Sequence, residues 1–560
     1  MKILLIQPPI RDFYQTSIRT QPIGLAYLAA ALRAQSHSVE ILDCQTHRKR
    51  SIPLPSWFLY LQDYYPFHDR SPFKLYSGYY HFGMGWDEIS TRVEDAQTDV
   101  FGISSAFTPY HGEALEVARI IKQGDIRRIV VMGGAHVSCD PHGVLENPLV
   151  DYVVLGEGEL RFPILLELLE SGCREEIEKI EGIGYRVDRR VKINPLKTFV
   201  QDLDGLPHPA RGLLDLSRYR IRKKRAAMII TSRGCPHGCA YCSTSLVMGA
   251  FFRERSPEGI LHEMLECRRD HDIRVFDIED DNFTFNTERA KRLLNLLLDR
   301  FGEGNLQLSA MNGVSFASLD GELLGLMKRA GFTTINLSFV SADPTIREQM
   351  HRPQEIVGFD EILAEAVRVG LHVIAYAIIG MPGQTVADMV ETLIYLMERK
   401  VLIGPSVYYP TPGTVLFELC KREVILPAAI AQWRSSALPI ETKDFARIDI
   451  ATLLRLTRVI NFIKGEMNRD ELPEGITWRE LRQVLNGQEQ EKIGTTSSRP
   501  YGTERDYTWR DLILLLIDEQ SFFSLREDSV RGQSVIKMRS SRMVLDYFFA
   551  QAWERPIMKS

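Results

Sequence analysis

Cysteine is scarce in this chain, with eight in 560 residues, too few and too scattered for a disulfide scaffold. Proline is limited to 27 residues, and 44% hydrophobic against 25% charged residues is ordinary globular composition, which excludes a mostly disordered or fibrous chain. Excess basic charge is also missing: 68 Lys+Arg face 73 Asp+Glu, a formal charge of -5. No global positive field therefore exists to hold a polyanion, and nucleic acid is not expected as a partner. Apolar runs such as 512–517 fall far below the roughly 18 residues of a membrane span. Residues 1–6 read as a strand cut short by Pro8-Pro9 rather than as a signal peptide, so a soluble, cytoplasmic protein with no membrane span is expected. No repeat of solenoid or propeller period is found. The length predicts three or four domains at roughly 100–200 residues each.

What is present is alternation. Strand patterns at 2–6, 39–42, 100–104, 129–132 and 152–155 are interleaved with helical patterns, one opened by Pro22 and another at 114–121. Strand-helix alternation predicts an α/β, doubly wound, Rossmann-like parallel sheet over residues 1–160. Such sheets bind ligands at the carboxyl ends of their strands, here Gln7-Pro8-Pro9, Ser104-Ser105, Gly133-Gly134-Ala135-His136 and Gly156-Glu157-Gly158-Glu159. Small residues there let a large ligand approach the backbone, while the lack of a GxGxxG after the first strand disfavours a dinucleotide. Residues 51–90 carry twelve aromatics in forty positions, readable as a satellite core or as a lid.

Residues 161–225 hold one helix, a hairpin pattern at 182–192 and a turn-rich Asp204-Gly205-Leu206-Pro207-His208-Pro209, and are expected to be a linker. A second series of strands, at 227–231, 274–278, 306–310, 334–339, 373–379 and 406–409 with helices between, predicts a partial parallel (β/α)6 barrel over 226–430. A helix capped by Ser256, with Pro257 at its first position, follows the first of these strands. Helical patterns dominate 431–560, with a polar loop at 488–505.

Three of the eight cysteines, Cys235, Cys239 and Cys242, fall within eight residues in a loop after the first barrel strand, in a CxxxCxxC spacing. Structural zinc wants four ligands, and no second cysteine pair follows at zinc-ribbon spacing; His237 is a sterically awkward fourth candidate. Three thiolates on a [4Fe-4S] cluster instead leave one iron open to a small molecule, and the loop lies on the face where barrel enzymes keep their active sites.

The triad, with Tyr241 before its last cysteine, resembles the radical S-adenosylmethionine (SAM) superfamily over about residues 225–425. The loops Arg253-Glu254-Arg255-Ser256-Pro257-Glu258, Asp280-Asp281-Asn282-Phe283, Asn312-Gly313, Ile379-Gly380-Met381-Pro382-Gly383 and Tyr409-Pro410-Thr411-Pro412-Gly413 are similar in kind and order. The resemblance implies that Cys235, Cys239 and Cys242 hold the cluster, and that Tyr241, Asp280, Asp281, Ser338 and Gly380 border SAM, with the two aspartates near its methionine amino group. It also implies cleavage of SAM to a 5′-deoxyadenosyl radical, driven by an external reductant of flavodoxin or ferredoxin type.

One position departs from the pattern: Val340 stands where related enzymes carry a glutamate after the fourth strand, leaving Ser338 or Ser341 to supply that contact. The amino-terminal sheet is similar to the cobalamin-binding domain of one branch of the superfamily, which implies that Pro9, Ser104, Ser105, Gly133, Gly134, His136, Gly156, Glu157 and Gly158 border cobalamin. No DxHxxG is present, so no histidine on cobalt is expected from His111 or His136. Two cofactor domains together imply a cobalamin-dependent methyltransferase acting on an unactivated carbon of a small molecule. Radical cyclisation or rearrangement without methyl transfer, and a non-catalytic redox or ligand sensor, are the alternatives.

Overall fold

The computed structural model describes residues 1–14, 21–45, 48–352, 356–492, 507–528 and 532–559. Five strands, β1 (Lys2–Gln7), β2 (Ser38–Asp43), β3 (Val100–Ser104), β4 (Ile129–Gly133) and β5 (Tyr152–Val154), form a parallel sheet in the order β5-β4-β3-β1-β2. Helices Ile23–Ala34 and Gly158–Ser171 bury Leu25, Leu32, Phe162 and Leu165 on one face of this sheet. Helices Trp86–Asp95 and His111–Gly124 bury Ile89, Val93, Val117 and Ile121 on the other. This is the doubly wound arrangement, and its strand order reverses beside β1, opening a crevice at the carboxyl ends.

The sheet does not stop at residue 160. β6 (Ile183–Val187) and β7 (Arg190–Ile193) form the expected hairpin, and β6 pairs antiparallel with β5, carrying Ile183 and Tyr185 into the same core. The segment expected to be a linker is in its first half the edge of this sheet, because an apolar hairpin gains more by covering β5 than by standing in solvent.

Strands β8 (Lys224–Ile229), β9 (Val275–Ile278) and β10 (Gln307–Ser309) form one parallel group, and β11 (Thr334–Val340), β12 (His372–Ile379) and β13 (Leu402–Val407) a second. Single parallel bridges, Leu308 to Phe332 and Val314 to Leu337, join the groups into a six-stranded open barrel. The last strand begins four residues earlier than its sequence pattern suggested. Pro405 sits inside it, tolerated because β13 pairs only with β12 and its outer edge needs no donor. Ser256 caps helix Pro257–His271 by accepting a bond from the Gly259 N–H at 3.0 Å, as expected.

The aromatic insertion is a core that joins the halves. Phe58, Tyr65 and Tyr79 pack with Phe13 in one continuous apolar cluster with the barrel, and Phe73 meets Phe462 of helix Arg447–Met467 at 5.4 Å. The Tyr65 hydroxyl donates to the Ser436 carbonyl at 3.0 Å. The carboxyl-terminal region is mostly helical but adds a hairpin, Phe523–Asp528 with Gly532–Lys537. Its polar segment 488–505 begins inside helix Trp478–Lys492, and from 493 onward lies outside the described residues. Among the described residues no helix is long and apolar enough to cross a membrane.

Candidate active site

The cysteine loop leaves β8 and turns at Gly234, whose φ of 81° and crowding (an added Cβ would lie 2.3 Å from the Phe251 carbonyl oxygen) admit only glycine. Cys235 and Cys239 are half-buried and Cys242 is exposed, all three as free thiols. Among the described residues, the one trio of metal-ligating side chains whose donor atoms all lie within 4.8 Å of one another is elsewhere, so the three sulfurs do not converge on a single point. A lone zinc with Zn–S bonds near 2.3 Å needs sulfurs about 3.8 Å apart, whereas a cubane spreads its ligands over separate irons. The loop fits a cluster. His237, the candidate fourth zinc ligand, faces Asn282 instead, at 3.3 Å.

Both aspartates after β9 shape this loop. Asp280 is fully buried, accepting from the Thr231 N–H at 2.6 Å, the Ser232 hydroxyl at 2.7 Å and the Thr231 hydroxyl. Asp281 accepts from the Gly234 N–H at 3.1 Å and the Thr244 hydroxyl at 3.0 Å. Asp280, expected beside the methionine amino group, has its oxygens on the strand end that launches the loop. Burial raises its pKa above the ordinary carboxylate range, against the pull of Arg289. Two further carboxyls nearby, Glu279 and Asp277, share a hydrogen bond; burial and Asp277 push Glu279 up to about 7, Asn312 donates to it at 3.0 Å, and the Ser309 hydroxyl donates to Asp277 at 2.7 Å.

Of the two serines expected near SAM, Ser338 accepts at 3.2 Å from Arg352, a guanidinium that also reaches the Cys239 sulfur at 3.9 Å. Ser341 is buried, bonded to Thr392 and the Asp343 N–H, and so takes no part in the site. Val340 is buried with φ 70°, an outlier for a β-branched residue, at a register shift that ends β11. Tyr241 packs on the barrel core beside Cys239, its phenol raised chiefly by burial. Gly380, also expected at SAM, lies at φ 77° against Ile450 and Phe445 and serves the junction with the carboxyl-terminal helix.

Across from the loop, a cavity of about 320 Å³ opens over the ends of β1, β3, β4 and β5. Ser104, Gly133, Gly134, Gly156, Glu157 and Gly158 all line it, together with Gly24 and, from the barrel half, Arg233, Val247 and Met248. A Cβ on Gly24 would meet nothing within 4 Å, and one on Gly133 only the Val154 carbonyl at 3.6 Å, so these glycines keep the space empty. A second cavity of about 480 Å³ shares Ala106, Phe107 and Ala135 with the first and continues past His136, Cys139 and Ser243 to Tyr14, Tyr110 and Tyr409. Two adjoining cavities with glycines at the strand ends suit a large cofactor that must come close to the backbone.

Three residues expected at cobalamin differ in placement, Glu157 lining the first cavity and Pro9 and Ser105 lining neither. Pro9 lines neither cavity and sits behind β1 against Gly83. The Ser105 hydroxyl is held by His111 at 3.0 Å. Glu157 lines the cavity and gives its buried carboxylate to Arg233 at 2.9 Å and Arg253 at 2.8 Å, while Glu159 takes the other arm of Arg233 at 2.8 Å. Arg233 directly precedes Gly234-Cys235, so this clamp ties the sheet loop to the cysteine loop. His136 donates or accepts at Thr108, 3.2 Å away, and lies 4.4 Å from His111 ring to ring. Burial lowers His136 to about 4 and, with His136 beside it, His111 to about 3, so both are neutral near pH 7. Neither the Glu157 clamp nor the Asp12–Arg434 pair (3.1 Å), which closes the far wall, has a sequence signature beyond the position of Arg233 next to the triad.

Comparison with known proteins agrees with this geometry. The model of the radical SAM superfamily matches residues 229–396, and that of the B12 binding domain matches 77–166. The chain thus carries a B12-binding and a radical SAM domain together, the pairing of the cobalamin-dependent radical SAM enzymes. It is 28% identical to an uncharacterized methyltransferase of Pyrococcus horikoshii over 83% of this chain and 94% of that one. It is 27% identical to the cytidylyl-2-hydroxyethylphosphonate methyltransferase of Streptomyces wedmorensis, over 75% and 82%. Its fold is similar to that of the radical SAM methyltransferase TsrM from Kitasatospora setae, at a TM-score of 0.59 and 17% identity over 78% and 82% of the two chains. The cofactors of this family are a [4Fe-4S] cluster, SAM and cobalamin.

Proposed function

We propose that this radical SAM enzyme transfers a methyl group to an unactivated carbon of a small molecule. The observation that carries the reading is the shared wall: Arg233, Val247 and Met248 of the cysteine loop region complete the cavity over the sheet. A methyl carrier and a radical source bound there would face one space. When bound, the cluster with SAM supplies one-electron cleavage of a sulfonium, and cobalamin supplies carriage of the methyl group.

The residues of the chain have distinct parts in this. Cys235, Cys239 and Cys242 would hold the cluster, with Arg352 placing positive charge beside Cys239 and Ser338 orienting that guanidinium. Asp281 and Thr244 fix the loop on both sides of the triad. The glycines at the strand ends would admit the corrin, and the clamp of Glu157 with Arg233 and Arg253 would hold the two cofactors in register. Tyr14, Phe107, Tyr110 and Tyr409 enclose the remaining cavity and would exclude water from a reacting carbon. With Asp12 and Arg434 satisfying each other, the described residues of that enclosure present no unpaired charge, which suits an uncharged reacting region of the substrate. An external one-electron reductant and a cytoplasmic setting belong to the same proposal.

The test is SAM with a deuterated methyl group, supplied to the reconstituted enzyme with a cell extract. The expected product carries the labelled methyl, and S-adenosylhomocysteine and 5′-deoxyadenosine form in about equal amounts. A turned-over product of unshifted mass would move the reading to cyclisation or rearrangement.

A further inference from the structure

Away from the cavities, on the outer face of the barrel, three side chains converge from two segments. His262 and Glu266 stand one turn apart on helix Pro257–His271, and His208 comes from the turn-rich stretch that crosses from the sheet to the barrel. One donor atom from each lies within 4.8 Å of the other two. The His208 Nδ1 is 2.7 Å from one oxygen of Glu266, and the His262 Nδ1 is 3.8 Å from the other. A tetrahedral zinc with bonds of about 2.0–2.1 Å sets its ligands about 3.4 Å apart, a spacing these distances straddle.

Two of the arginines that border this surface with His262 and Glu266 point elsewhere. Arg268 stacks over the Phe301 ring at 5.4 Å, and Arg269 binds Asp270 at 2.7 Å. Two imidazoles and one carboxylate favour zinc, copper or nickel over magnesium or calcium. We propose that His208, His262 and Glu266 form a second metal site, for a late first-row divalent ion such as zinc, separate from the cysteine loop.

The consequence is mechanical. Residues 204–211 already dock along this helix at two other points: Asp204 accepts from the Ser256 N–H at 2.9 Å, and Arg211 meets buried Glu263 at 2.6 Å. A metal at His208 would add a third anchor between these two, fixing the crossing from the sheet to the barrel. Ion binding to the folded chain alone stabilises it by mass action.

The test uses the full chain with its [4Fe-4S] cluster reconstituted, so that the cysteines are occupied, and titrates it with zinc. One zinc per chain is expected, with an X-ray absorption spectrum showing nitrogen and oxygen neighbours that include two imidazoles. His208→Ala and His262→Ala should each weaken binding at least tenfold while leaving the cluster absorption unchanged; both side chains are partly or largely exposed, so the fold is kept. Zinc uptake equal in both variants and the parent, a sulfur shell around the ion, or no uptake at micromolar zinc would each overturn the site. None of these results bears on methyl transfer, which the labelled-methyl experiment tests separately.

Discussion

In the barrel, three side chains of one short loop would hold a cofactor; at the sheet, the space is made by leaving side chains out, at Gly24, Gly133 and their neighbours. The first device depends on what those few residues are, because thiolates are the ligands iron requires. The second depends on what many residues are not, because backbone must come close to a large ligand. Losing one member should therefore be total in the first case and graded in the second. Between the two lies the buried clamp of Glu157, Glu159, Arg233 and Arg253, which belongs to both halves.

The comparison breaks most sharply at Cys239. Cys239→Ala should abolish the cluster and SAM cleavage, read as loss of iron, sulfide and visible absorption after anaerobic reconstitution, while corrinoid binding persists. Retained iron-sulfur absorption would show that the triad is not the ligand set.

A smaller, one-sided effect is expected at the sheet. Gly133→Val has room for its side chain only in the cavity, so corrinoid affinity should fall at least tenfold with iron content unchanged. Equilibrium dialysis with hydroxocobalamin checks this, and unaltered affinity would move the corrin away from β4.

The smallest effect tests the connection. Glu157→Gln removes the carboxylate that Arg233 and Arg253 share, and breaking a buried ion pair costs about 3–5 kcal/mol. Because Glu159 still serves Arg233, the lower end, about 3 kcal/mol, is expected as a fall in the urea midpoint. Cluster and corrinoid loading should decline together, unlike in the two preceding variants. A decline in only one would confine the clamp to that half.

Legibility followed the same division. CxxxCxxC is readable because its chemistry resides in residue type and spacing within one loop. The strand-end glycines were readable only as a group, and all four, Gly133, Gly134, Gly156 and Gly158, line the cavity. For Asp280, Ser105 and Glu157 the sequence left the partners open for one reason: a polar residue beside a ligand loop looks the same in sequence whether it faces the ligand or a neighbouring donor. Buried polar groups must find partners, and for these three the partners come from 49, 6 and 76 residues away. The hairpin over residues 183–193 was seen as a hairpin, but its docking on β5 depends on an apolar edge that only the assembled sheet exposes.

By itself the sequence determined the alternating strands and helices, the two parallel sheets and the three-thiol loop, since these rest on short-range periodicity and local spacing. Tertiary structure alone decided that the aromatic insertion is a joint between the halves, that Glu157 grips the residue before the cysteines, and that His208 meets His262 and Glu266. Each of those is a contact between segments far apart in the chain, and its energy comes from burying charge or apolar surface that no single segment can bury alone.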